Sequence, residues 1–150
     1  MVGASAIKTR ANYFLGRFLR KGGVYPDYTL RLYRRGKGNL PAKSVHEQAE
    51  VEGPTGQLKH DLLHYNNPTF GVYIDRRFNR YTDIMAKEMT GGLFSNLVWR
   101  PLFDSNQGFL SIYFRHLGCL DGVPGFVWAL FSALHFPIAY FKSLELKHKL

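Results

Sequence analysis

Residues 45–65 read VHEQAEVEGPTGQLKHDLLHY, and the folding of this stretch decides what the chain can be. Ala49 and Val51 precede a Gly53-Pro54-Thr55-Gly56 turn, and Leu58 opens a second arm that runs through Leu62 and Leu63 to Tyr65. Glycine and proline supply the backbone angles of a tight reversal, so the pattern predicts a hairpin. Closing it would bring Val45-His46-Glu47 toward Asp61-Leu62-Leu63-His64, with an acid and two imidazoles in one neighbourhood.

On the N-terminal side, Tyr28, Leu30 and Leu32 alternate with Thr29 and Arg31 between Pro26 and Gly36-Lys37-Gly38. A period of two bounded by turn residues predicts a strand, with Arg31 facing away from the apolar row. Arg34 and Arg35 close it beside the glycine turn. These arginines fit a solvated sheet edge guarded against aggregation, and equally a phosphate clamp, since the planar guanidinium bonds two oxygens at once. Residues 12–19, NYFLGRFL, fit a short helix or an irregular segment ended by Gly22-Gly23.

On the C-terminal side, Asn67-Pro68 reads as a cap and first helical residue. Phe70, Tyr73, Ile74, Phe78, Tyr81, Ile84, Met85 and Met89 then recur every three or four positions, predicting an amphipathic helix that ends at Gly91-Gly92. Asp83 and Lys87 on its polar face are spaced for an ion pair. Beyond it, LFSNLVWRPLF and FLSIYFRHLG predict two short aromatic helices broken at Pro101 and at 104–108. Residues 122–141 carry no formal charge and reach the length of a membrane span. Pro124, Ser132, His135 and Pro137 within them favour an interfacial or re-entrant helix over a full crossing. Trp99, Tyr113, Trp128 and Tyr140 are residue types found at a headgroup boundary.

The composition of the 150 residues, with 45% hydrophobic and 15% aromatic content, is rich for one water-soluble domain. Of the charges behind the net +9, residues 1–44 hold ten Lys/Arg against the single acid Asp27. That front section suits an anionic partner. Cys119 is the only cysteine, which excludes an intrachain disulfide and a cysteine-based zinc site and points to a reducing compartment. The first residues lack the apolar core of a signal peptide, so export is not expected.

Taken in order, Arg10-Ala11-Asn12-Tyr13-Phe14-Leu15-Gly16, Tyr25-Pro26-Asp27-Tyr28, Arg31-Leu32-Tyr33-Arg34-Arg35-Gly36, Val45-His46-Glu47, Glu52-Gly53-Pro54, Asp61-Leu62-Leu63-His64-Tyr65 and Leu120-Asp121-Gly122 form a recognisable set. The set resembles the C-terminal half of bacterial family 2 glycosyltransferases, above all those that build lipopolysaccharide core. The resemblance implies the rear half of a GT-A fold: α/β, or α+β as an isolated fragment, with a small sheet and hairpin followed by amphipathic and apolar helices. It also implies an acceptor-side catalytic part over 1–92 and a membrane-associating helical region over 93–150. The expected reaction is inverting transfer of a sugar from a nucleotide-sugar donor to a lipid-linked or core-oligosaccharide acceptor, on the cytoplasmic face of the inner membrane.

By the same resemblance, Glu47 is the expected base, His46 orients it or touches the acceptor, and His64 is the metal-side histidine for Mg or Mn. Arg31, Arg34, Arg35 and Asp27 are the expected phosphate or acceptor contacts. No Asp-x-Asp motif occurs in the sequence, so a truncated or split-gene product is expected, inactive without the donor-binding half that a separate chain would carry. The competing expectation is a non-enzymatic module that holds anionic membrane surfaces. A nucleic-acid binder ranks below both, because no recognised module is present.

Overall fold

The computed structural model describes residues 5–39, 49–90 and 99–148. The architecture is α+β: a small mixed sheet, then helices that pack onto its end. Its spine is β1 (Ser5–Phe14), the sheet's longest strand. On one edge β1 pairs antiparallel with β2 (Arg17–Phe18) and β3 (Asp27–Tyr33), and on the other it runs parallel to β6 (Thr55–Gln57) and β7 (Leu62–Asn67). Residues 12–19 are therefore neither helical nor irregular. Leu15 and Gly16, both at positive φ, turn β1 into β2.

The hairpin expected over 45–65 does not form among the described residues. β5 (Glu50–Val51) instead pairs with β4 (Gly38–Asn39) in a separate two-stranded sheet, while the second arm joins β1 as β6 and β7. A long open strand edge offers the second arm more ladder hydrogen bonds than a two-residue first arm can.

The β3 strand is present where its alternation placed it, but its faces are not as expected. Arg31 has no partner in the register, because Ala6 pairs with Leu32 and Ile7 with Leu30. That bulge reverses the alternation. Leu30 is buried while Leu32, beyond the bulge, is exposed.

The first helical stretch starts two residues later than expected. Thr69 caps it, its hydroxyl accepting from the Val72 N–H at 3.2 Å, and Asn67 is a buried strand residue. α1 (Phe70–Tyr73) passes through a π turn (Ile74–Phe78) into α2 (Asn79–Thr90). The buried positions Tyr73, Phe78, Thr82 and Ala86 open with a five-residue step, the spacing of the π turn. Asp83 pairs with Lys142 at 2.6 Å rather than with Lys87, a tertiary partner displacing the local one.

Helix α3 (Trp99–Leu110) runs unbroken through Pro101 and residues 104–108. The chain reverses later, after a π turn (Ser111–Arg115), at Leu117 with φ 57 and a 3-10 turn (Gly118–Asp121). α4 (Gly122–His148) follows, 27 residues long. At Gly125 a Cβ would lie 2.0 Å from the Gly118 carbonyl oxygen, so only glycine lets the turn fold onto α4. The core joins strand, π turn and α4: Phe14, Leu19, Tyr73 and Phe78 are its buried centre, packed by Trp128 and Phe131. Trp128 and Tyr140 are thus packing residues rather than headgroup contacts, Tyr140 being buried.

Candidate functional site

Alternation along β1 sets Arg10 and Asn12 on one face, opposite Asp27 of β3 on one side and His64 of β7 on the other. Asp27 Oδ2 accepts from Arg10 Nε at 2.7 Å and from Asn12 Nδ2 at 3.2 Å. Asn12 Oδ1 lies 2.8 Å from His64 Nδ1. A carboxylate only accepts, so the amide NH2 of Asn12 must face Asp27, and its oxygen must accept a hydrogen bond from His64 Nδ1–H. Neutral His64 therefore carries its free lone pair on Nε2. Burial, then the positive charges of Arg10 and Arg77, lower its pKa from the usual histidine value and hold it in that neutral form.

Beside this relay lies a cleft of about 460 Å³. Arg10, Asn12, Asp27, Asn66 and Asn67 give it polar walls, and Tyr13, Tyr28 and Trp128 give it aromatic ones. Among the described residues, the Oδ1 of Asn66 is buried without a hydrogen-bond partner. Such an acceptor is costly unless a bound donor reaches it. Flat apolar rings combined with short amide and carboxylate side chains can cover the C–H face of a sugar and bond its hydroxyls.

The loop between β2 and β3 forms part of the cleft through Leu19, Gly23 and Val24, and two acids clamp it. The buried carboxylate of Asp121 accepts the Arg20 and Lys21 backbone N–H groups, at 3.0 and 2.8 Å, while Arg17 Nη1 donates to the Asp121 carbonyl. Asp61 pairs with the Arg20 guanidinium at 2.6 Å and accepts from the Tyr25 hydroxyl. The Arg20 hydrogen bond keeps the Asp61 carboxyl below the usual carboxylate range.

The fold brings two of the expected site residues together, Asp27 and His64, through Asn12. Arg31 is exposed at the β3 bulge, and its charge also contributes to lowering the His64 pKa. Arg34 and Arg35 occupy a turn closed by Lys37 N–H to Arg34 O at 2.9 Å, at the end of β3 opposite Asp27. His46 and Glu47 lie outside the described residues.

Among the described residues no group of three or more His, Cys, Asp or Glu side chains could hold a metal ion. His64 offers one nitrogen among arginines, and the nearby Asp27 is already engaged. These residues do not fit a divalent cation by themselves. The residues that sequence reasoning left without a role in the site are Asn66, Asn67, Arg77 and Trp128, together with Arg10 and Asn12. For the last two the signal was present, as alternate positions in a motif already singled out.

No family model matches the chain, and no solved structure matches it. It is 28% identical over 128 residues to the lipopolysaccharide core biosynthesis glycosyltransferase LpsC of Rhizobium meliloti (strain 1021). The match takes in 84% of this chain and 47% of LpsC, so the chain spans about half the length of that relative. This likeness supports a glycosyltransferase-like relationship along most of the chain.

Proposed function

We propose that the chain is the acceptor-side part of an inverting family 2 glycosyltransferase of GT-A type, and that the cleft beside Asn12 and His64 receives the acceptor sugar. The observation that carries this reading is the cleft itself, where the side chains of Asn12, Asn66 and Asn67 lie beside the rings of Tyr13, Tyr28 and Trp128. The acceptor hydroxyl oxygen attacks the anomeric carbon and the bond to the nucleoside diphosphate breaks. A carboxylate takes the hydroxyl proton. Glu47 is the proposed base and His46 its orienting neighbour. The sugar nucleotide, and the divalent ion expected with it, belong to the donor-binding half.

A membrane location for the acceptor is part of the proposal. Leu117, Leu120 and Val123 are exposed around the reversal between α3 and α4, with Phe114 and Phe126 beside them. Arg20, Lys21 and Arg115 are exposed nearby. Residues Gly118–His148 are also long and apolar enough, by length and composition, to cross a membrane. An apolar tip with a basic collar suits peripheral attachment to the anionic cytoplasmic leaflet and a lipid-linked glycan acceptor. The same tip favours the second reading, a surface module with no chemistry.

Co-expression with a chain carrying the donor-binding half separates the two. Sugar transfer that needs both chains and fails with Glu47→Gln supports the enzyme. Vesicle binding with no sugar-nucleotide binding or transfer in the paired chains supports the module.

A further inference from the structure

Arg77 lowers the His64 pKa and, among the described residues, makes no hydrogen bond to Asn12, Asp27 or His64. It sits in the π turn Ile74–Phe78, a helical irregularity that re-aims side chains and is frequent at functional sites, and it lines the cleft. Its guanidinium carbon stands 5.7 Å from the ring centroids of both Tyr81 and Trp128, so two aromatic rings fix its direction. Among the described residues it makes no ion pair. The other guanidinium lining the cleft, Arg10, is neutralised by Asp27. The cleft's excess positive charge therefore rests on Arg77, half-buried in a concave wall where a field is focused rather than screened.

We propose that the cleft selects a sugar carrying an anionic group, a phosphate or a carboxylate, and that Arg77 holds that group. The sugar ring rests on the acceptor reading given above, whereas the anion preference stands on Arg77 alone. Arginine's fork meets either group through two parallel hydrogen bonds. Asn66, which lines the same cleft, offers its side-chain amide to a ring hydroxyl of the same ligand. Together the two residues read one neutral and one charged feature of the ligand.

The test titrates the whole chain, in a Trp99→Phe background that leaves Trp128 as the only tryptophan, with glucose 6-phosphate, glucuronate and glucose. At least one of the two anionic sugars should bind about tenfold tighter than glucose, a difference of one charge-assisted pair. Which one is preferred tells phosphate from carboxylate. Arg77→Gln should abolish the advantage, and Arg77→Lys, which keeps charge and stem, should retain part of it. Equal binding of all three sugars, no binding of either anion, or an undiminished preference in Arg77→Gln would overturn the inference. An intact preference without sugar transfer in the paired chains sinks the transferase reading and leaves Arg77's role standing. Transfer without the preference does the reverse.

Discussion

The side-chain oxygen of Asn12 lies 2.8 Å from Nδ1 of His64, while the amide nitrogen of the same residue bonds Asp27. One amide therefore fixes an imidazole tautomer from a carboxylate on the far edge of the central strand. Replacing Asn12 by Asp puts a negative charge against that imidazole and favours its cation. The pKa of His64, below the usual value in the native protein, should then rise. An NMR titration of the His64 ring reads this, and an unchanged midpoint would contradict the contact.

The Asp121 clamp predicts a stability effect. Asp121→Ala leaves the Arg20 and Lys21 N–H groups without their acceptor, the buried Asp121 carboxylate. The expected loss is about 2–4 kcal/mol in chemical denaturation, from charge-assisted bonds and stranded donors. Asp121→Asn keeps one acceptor oxygen and should lose clearly less.

Gly125 supplies a packing test. Any side chain there meets the Gly118 carbonyl at a distance no real Cβ tolerates, so backbone must move. Gly125→Ala should cost about 1–3 kcal/mol or more despite the better helix propensity of alanine.

His135 sets a pH dependence. It packs on Phe78 with ring centroids 4.6 Å apart, and burial lowers its pKa below the usual 6.5, as burial also does for His64. A histidine depressed in the folded state takes up protons more readily when unfolded. The stability it contributes is complete above the unfolded value and is lost as pH falls from about 6.5 through the folded pKa. Denaturation midpoints should fall across that window, and His135→Gln should flatten the fall.

Much of this was legible in sequence because it depends on short-range rules. The period-two run at 28–32 gave a strand, the three-to-four periodicity of Phe70 through Met89 gave a helix, and Asp27 and His64 stood out in their motifs. What was not legible depended on competition between distant partners. The second arm of 45–65 chose β1 over its neighbour, Asp83 chose Lys142 over Lys87, and Arg31 fell on a bulge set by register with β1. Arg77 stayed hidden for a related reason. A regular wheel sets it within the apolar stripe, four residues after Tyr73 and four before Tyr81, and the π turn shifts that phase.

The most direct measurement of the central claim is steady-state sugar transfer by this chain paired with a donor-binding half, using cleft variants Asn66→Leu and Trp128→Ala. Transfer should depend on this chain, and each variant should raise the acceptor KM by about tenfold while leaving the KM for the sugar nucleotide unchanged. Transfer indifferent to both substitutions, with the variants folded, would show that the acceptor does not bind in this cleft.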